Sequence, residues 1–380
     1  MNPSIATPSR ILDPVLSLLV VALAGIGLIA IASASVEYGD WHFGNPWHHT
    51  LRHGSYLIIA VVLSAVAYRV PLPLWQQSSP SWLLLATALL ILVLIPGVGR
   101  DVNGSQRWLP LGPFTLQPSE IVKFSLALYT AGFLVRHESD VRQHWQGLAK
   151  PVAVLCVIAL LLLAEPDFGA TVISVGTVLG MLFLAGARLS YVLAMLTAAI
   201  GMLVLLIYAA PYRLQRLTAY TDPWSDPFGS GFQLIQSLIA YGRGDLWGVG
   251  LGNSIQKLFY LPEAHTDFVF SIWAEETGLF GALFVMVLYA VLIARILHVG
   301  RQALMRKELF SAYVCYGVAL IFAGQVFVNM GVSSGLLPTK GLTLPLISYG
   351  GSSLIVSMIM LAIVLRVAAV NRQITSWTSA

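Results

Sequence analysis

The stretch LSLLVVALAGIGLIAIA, Leu16 to Ala32, has Ser17 as its lone polar side chain. About 20 residues of this kind carry an α-helix across roughly 30 Å of hydrocarbon. No signal-peptide cleavage pattern accompanies it, so it reads as a first spanning helix rather than a removed segment. Working outward, comparable runs start near Val15, Tyr56, Trp82, Ile121, Pro151, Ala170, Tyr191, Val269, Phe310 and Leu346. Pro71 and Pro73, Pro96-Gly97, Glu165-Pro166-Asp167 and Gly186-Ala187-Arg188 punctuate them. The pattern predicts an all-α polytopic membrane protein of about ten transmembrane helices, a single membrane domain over residues 1–380. One long polar loop, about 211–266, falls between the seventh and eighth spans, and loops of that length usually carry function or short structure of their own.

Composition agrees. The chain is 57% hydrophobic and 10% charged, whereas a soluble domain carries about a quarter charged residues. The net charge of +4 does not point to nucleic acid, because the basic residues sit in short loops between apolar runs, as membrane orientation requires. Arg69, Arg136, Arg142, Lys150, Arg188, Arg295, Arg301, Arg306 and Arg372 share one side with both termini. That side is therefore expected to be cytoplasmic and the long loop outside. Cys156 and Cys315 both lie in apolar runs, which predicts buried membrane residues and no disulfide framework. No internal repeat stands out, which disfavours a repeat-built transporter.

The polar stretches then fall together on the expected outer side. They are Asn103 to Trp108, Gln117-Pro118-Ser119-Glu120, Glu165-Pro166-Asp167, Pro211 to Asp267, and Pro338 to Gly351. Glu120 and Lys123 are three apart on one helix face and read as an ion pair or as groups facing an interior cavity. Asp167 reads as a helix N-cap or a ligand-binding acid. Pro262-Glu263-Ala264-His265-Thr266-Asp267-Phe268 crowds three titratable groups ahead of the eighth span, with Glu275 and Glu276 about two turns further on. Thr266 or Asp267 would cap that helix; a carboxylate partly desolvated among other acids would also suit general-base work. Arg107, Lys123, Arg213, Arg216, Arg243, Lys257 and Lys340 supply positive charge for a phosphate or pyrophosphate, unless they are solvated loop charges.

Other patterns carry less. Gly331-Val332-Ser333-Ser334-Gly335 matches G-x-S-x-G without its strand-to-helix context. Gly248, Gly250 and Gly252 lack a Rossmann unit. His42, His48, His49 and His53 read as an interfacial histidine and aromatic loop before a metal site.

Leu261 to Phe268, Gln117 to Glu120 and Leu346 to Ser352 together resemble the SEDS family (shape, elongation, division and sporulation), over nearly the whole chain. Gly335 to Pro345, with its Thr339-Lys340-Gly341, and Asp222 to Gly231 are similar to the division branch; elongation members usually lack that Thr-Lys-Gly. The resemblance implies ten spanning helices and a peptidoglycan glycosyltransferase that polymerises lipid II at the division septum of a bacterial inner membrane. It implies Asp267 as the essential acid of a His-Thr-Asp motif, Trp108 as the aromatic of an Arg-Trp motif, and a class B penicillin-binding transpeptidase and other division proteins as partners. The expected reaction has Asp267 take the proton of an acceptor 4-hydroxyl, which attacks the donor's anomeric carbon with inversion and expels undecaprenyl pyrophosphate. Arg and Lys side chains or a divalent cation (Mg2+ or Mn2+) would answer the leaving group's charge. Beside Asp267, the expected supporting set is Arg107, Trp108, Glu120, Lys123, Asp167, Arg213, Arg243, Lys257, Glu263, His265, Thr266, Lys340 and Ser348. The rival readings are a lipid II flippase and a non-catalytic scaffold for the transpeptidase.

Overall fold

The computed structural model describes residues 12–102, 105–112, 114–208, 220–338 and 341–378. Arg213, Arg216 and Lys340 lie outside the described residues. Among the described residues, ten helices form the bundle: α1 (Pro14–Ala34), α3 (His48–Arg69), α4 (Leu72–Leu94), α5 (Pro118–Arg136), α7 (Gln146–Ala164), α8 (Phe168–Leu184), α9 (Leu189–Tyr208), α11 (Val269–Met305), α12 (Leu309–Ser333) and α13 (Gly351–Thr378). Short helices α2 (Val36–Phe43), α6 (Glu138–Gln143) and α10 (Phe232–Gly244) lie between them. Eight of the ten are long and apolar enough to cross a membrane by length and composition. The other two are α8, apolar but shorter, and α5, which carries Glu120, Lys123 and Arg136. The expected count of about ten spans therefore holds.

The helices start where local chemistry supplies their orphan N–H groups. Asp13 caps α1, its carboxylate accepting from Leu16 N–H at 3.0 Å, and Pro14 needs no partner at the first position. Asp167 caps α8 in the same way, accepting from Ala170 N–H at 3.1 Å. Burial then ranks the helices. In α13, 83% of the most apolar stretch is buried, against 6% in α9, where Val192 is the one buried residue. The centre is thus α5, α12 and α13, and α9 lies at the rim with its side chains toward lipid.

The long loop carries short structure of its own, α10, as its length suggested. Three expectations need correction. A three-stranded antiparallel sheet, β1 (Arg100–Val102), β2 (Ser105–Leu111) and β3 (Phe114–Leu116), occupies a stretch read as loop. His48, His49 and His53 lie in the first turns of α3 rather than in a loop, and His49 and His53 are buried. Cys315 is buried as expected, but Cys156 is exposed on α7, because an apolar run spanning lipid need not bury every face.

The bundle has two unlike ends. The terminal end holds Asp13, the α11–α12 turn and the C-terminal part of the last helix. The sheet end holds the strands, α2, α10, and the segments before α11 and α13.

Candidate active site

The site is built at the sheet end by a helix that breaks. Residues 269–305 follow one helical course except at Gly278, whose φ of 68° and ψ of −167° lie outside it. The break frees backbone groups that a bilayer would not satisfy. A loop from earlier in the chain satisfies them. Val249 and Gly250 N–H donate to Glu275 O and Glu276 O, each at 3.0 Å, and Leu279 N–H donates to Asp245 O at 2.9 Å. The two backbones come so close that a Cβ on Gly278 would lie 2.4 Å from Gly248 N. Only glycine fits this contact and this φ.

Glu275 and Glu276 are thereby turned to the loop rather than toward Asp267. Glu275 accepts from Arg243 at 2.6 Å and from Ile255 N–H at 3.1 Å. Glu276 accepts from Lys257 at 3.0 Å and from Ser33 at 2.6 Å. Arg243 and Lys257, expected beside a phosphate, are placed in these ion pairs. Glu275, Glu276 and Lys257 are buried, so the pairs neutralise charge that could not otherwise stay there.

Ahead of the short half-helix, residues 261–268 form a tight turn on a small apolar pad. Leu261, Ala264 and Phe268 pack with Ala34, Ile272 and Val332. Thr266 N–H donates to Glu263 O at 3.1 Å and the Thr266 hydroxyl to the Glu263 carboxylate at 2.7 Å. Glu263 adopts φ +56°, a costly region for a residue with a Cβ. This turn leaves Asp267 half-buried at its exit.

One side chain ties the turn to the segment before α13. The Asn329 amide donates to Asp267 O at 2.9 Å and to Leu342 O at 2.6 Å. The segment passes so near the carboxylate that a Cβ on Gly341 would lie 2.8 Å from Asp267 Oδ2. Tyr349 N–H donates to His265 O at 3.0 Å, a second tie. Ser348 is buried and its hydroxyl accepts from Leu344 N–H at 2.8 Å, bracing the same segment. The His265 ring lies 4.8 Å from that of His49, 5.1 Å from Tyr38 and 5.7 Å from Tyr349. Burial pushes its pKa down to about 4, so it is neutral at pH 7.

The remaining expected residues stand around this centre in other roles. Arg107, on β2, donates to Glu165 O at 3.1 Å and to Pro166 O, so its guanidinium holds the turn between α7 and α8. Trp108 follows it, half-buried and opposite Arg100 in the sheet. Lys123 and Glu120 form a buried ion pair at 2.8 Å. Asp167 caps α8 and accepts weakly from Gln117 at 3.5 Å.

Glu165 was left out of the expected set, although its Glu-Pro-Asp string was noticed. It is fully buried, and neither carboxylate oxygen has a hydrogen-bond partner. Burial raises its pKa to about 8, helped by Asp167 and opposed by Arg107. Sequence shows an acid between two spans but not that no hydrogen-bond donor among the described residues reaches it.

Among the described residues, no three His, Cys, Asp or Glu side chains converge to hold a metal ion. Between α10, the spanning half of α11 and α12 lies an apolar groove of about 780 Å³, lined by Phe270, Ala274, Ala282, Met286, Phe327 and Met330 among others.

Comparison with known proteins settles the lineage. The FtsW/RodA/SpoVE model, described as cell cycle protein, matches residues 14–373. This chain belongs to that family. Among FtsW/RodA/SpoVE relatives, a protein of Hahella chejuensis named "Probable peptidoglycan glycosyltransferase FtsW" is 56% identical over 350 residues, covering 92% of this chain and 88% of its own. One of the same name from Coxiella burnetii is 51% identical, covering 91% and 93%. A solved chain described under structural coordination of polymerization and crosslinking by a peptidoglycan synthase complex aligns with a TM-score of 0.77. It is 30% identical, over 96% of this chain and 99% of that one. Rod shape determining protein RodA of Thermus thermophilus aligns with a TM-score of 0.70 at 28% identity, over 95% and 97%. The ten-helix architecture is that of the family.

Proposed function

We propose that this chain is a peptidoglycan glycosyltransferase that polymerises lipid II at the outer face of the bacterial cytoplasmic membrane, at the division septum. The observation that carries the reading is the placement of Asp267. It is half-buried, tied through its carbonyl to Asn329 and closely passed by the backbone at Gly341, while the acids that follow it are neutralised elsewhere. The names borne by relatives about half identical over nine-tenths of the chain support the same activity.

In this reading the sheet end faces outward and both termini are cytoplasmic. Asp267 takes the proton of the acceptor's 4-hydroxyl as its oxygen attacks the donor's anomeric carbon. The configuration inverts and undecaprenyl pyrophosphate departs. The apolar groove beside α11 suits a polyprenyl tail, which never has to leave apolar surroundings. Arg107 keeps part of its guanidinium beyond the two carbonyls it holds and is a candidate for the leaving group's charge. Arg213 and Lys340 complete that proposed set. A Mg2+ or Mn2+ ion acting here would arrive with pyrophosphate oxygens as most of its ligands. The partner reading, a class B penicillin-binding transpeptidase with other division proteins, draws support from the synthase-complex likeness.

The test is lipid II polymerisation by the purified full-length chain with its transpeptidase partner in proteoliposomes. Asp267→Asn should lower the rate by about 10²-fold or more, the span of a lost general base. Near wild-type turnover would sink the assignment. A flippase would instead move lipid II between leaflets in the variant and the wild type alike, with neither forming strands.

A further inference from the structure

A train of rings leads away from the Asp267 turn and out to the protein surface. His265, two residues before Asp267, lies 5.1 Å from Tyr38 on α2. Tyr38 stacks on His42 at 4.0 Å and approaches Phe259 at 6.3 Å. Phe259 in turn meets Trp41 edge-on at 6.2 Å. The outer members are bare: Trp41 is 79% exposed and Phe259 52%. Phe259 has φ +63°, a conformation that costs a residue with a Cβ. Leu261 N–H donates to Gln256 O at 2.9 Å to close the turn around it, so the ring is presented rather than left loose.

We propose that Trp41 and Phe259 form a stacking platform for the amino-sugar rings of the glycan strand as it leaves the site. The inference rests on the transferase reading. A β-linked pyranose offers a flat face of C–H groups, which packs on the negative face of an aromatic ring, and a rim of hydroxyls and amides. The surface of α2 supplies both halves. Glu37 is four residues before Trp41, hence on the same side of the helix, and Asp40 precedes Trp41 in sequence on the next face; both are exposed and able to accept hydrogen bonds from hydroxyls. A strip meant for acyl chains would not carry two carboxylates. One meant for pyrophosphate would carry cations in their place. Aromatic residues also gather at membrane interfaces as belts, but a belt does not require linked rings ending at the proposed catalytic turn.

The experiment measures strand length on a gel, using the full-length chain with its transpeptidase partner and lipid II in proteoliposomes. Trp41→Ala and Phe259→Ala should each shorten the mean strand at least about threefold, out of proportion to any fall in initial rate. Trp41→Tyr, which keeps a ring, should restore most of the length. Trp247→Ala serves as the belt control, since that indole is equally exposed and stands on Phe280 away from α2. Unchanged strand length in Trp41→Ala, or equal shortening by Trp247→Ala, overturns the platform. A wild type that makes no strand at all overturns the transferase reading, and the platform with it.

Discussion

At the terminal end, Asp13 accepts from Arg295 at 2.6 Å and from Arg372 at 2.8 Å, so one carboxylate joins α1, α11 and α13. At the sheet end, Glu165 is equally buried and accepts from no donor among the described residues, while Asp267 is half-buried and tied through its carbonyl to Asn329. Both ends have acids near helix termini and arginines within reach. The terminal end uses its charges as fasteners. The sheet end also pairs Arg243 with Glu275 and Lys257 with Glu276, but it directs Arg107 and the Asn329 amide to main-chain oxygens and leaves the Glu165 carboxylate without a donor among the described residues. A charge that fastens lowers the energy of one arrangement; a charge that is withheld stores chemistry at some cost in stability.

The largest effect expected from disturbing this contrast is at Gly278. Gly278→Val puts a branched side chain onto Gly248 N and demands a φ that valine avoids. It should cost about 4 kcal/mol or more, the range of severe backbone substitutions, and appear as a collapse of detergent-resistant folded protein on heating. Retained thermal stability would mean that the break is not fixed by backbone contact.

Next is Glu165. Its pKa in the folded chain is raised to about 8 from 4.5. Below pH 4.5 the folded and unfolded states are both protonated there. Between pH 4.5 and 8 the unfolded chain loses this proton first, so the contribution to stability falls as pH rises. Glu165→Gln should remove that slope and stabilise the protein at pH 8 by a few kcal/mol, read from melting temperature against pH. A parallel slope in the variant would show that another group controls this window.

Asp13→Asn tests the fastening end. Burial alone would raise the Asp13 pKa, but the bond from Arg295, the Leu16 N–H and both guanidinium charges outweigh it and hold it low. The clamp should thus persist down to acid pH and be lost as the pH falls through that lowered value. The variant should cost about 1–3 kcal/mol at pH 7 with polymerisation kept. The smallest effect belongs to Glu138→Ala, which removes the exposed pair with Arg142 and should shift stability by less than about 0.5 kcal/mol.

Much of this was legible in the sequence, for reasons that differ by residue. The ten helices follow from apolar runs because lipid leaves a chain almost no other option. Asp267 was visible because its neighbours form a specific string. The break at Gly278 was hidden: a glycine inside an apolar helix is ordinary in membranes, and the loop that satisfies it lies about 30 residues upstream. The roles of Arg243 and Lys257 were hidden for the same reason, since their partners Glu275 and Glu276 approach only when that loop docks. The strands at 100–116 escaped because Gly, Pro and polar residues there read as turn signals. Glu165 shows a further limit, as sequence places an acid but not its lack of a hydrogen-bond donor.

Asn329 has a consequence of height. It is rooted in α12, which starts at Leu309, and at 1.5 Å per residue that stretch of helix is about 30 Å long, the thickness of the hydrocarbon. Its amide therefore works as the top mark of a gauge, and the two carbonyls that it grips are levelled against the lipid boundary rather than against each other. Inserting one residue below it would lift the mark by about 1.5 Å and turn it by about 100°, away from both. How far the Asp267 carbonyl stands from the start of α12 is set by counting residues in a helix that does not itself carry it.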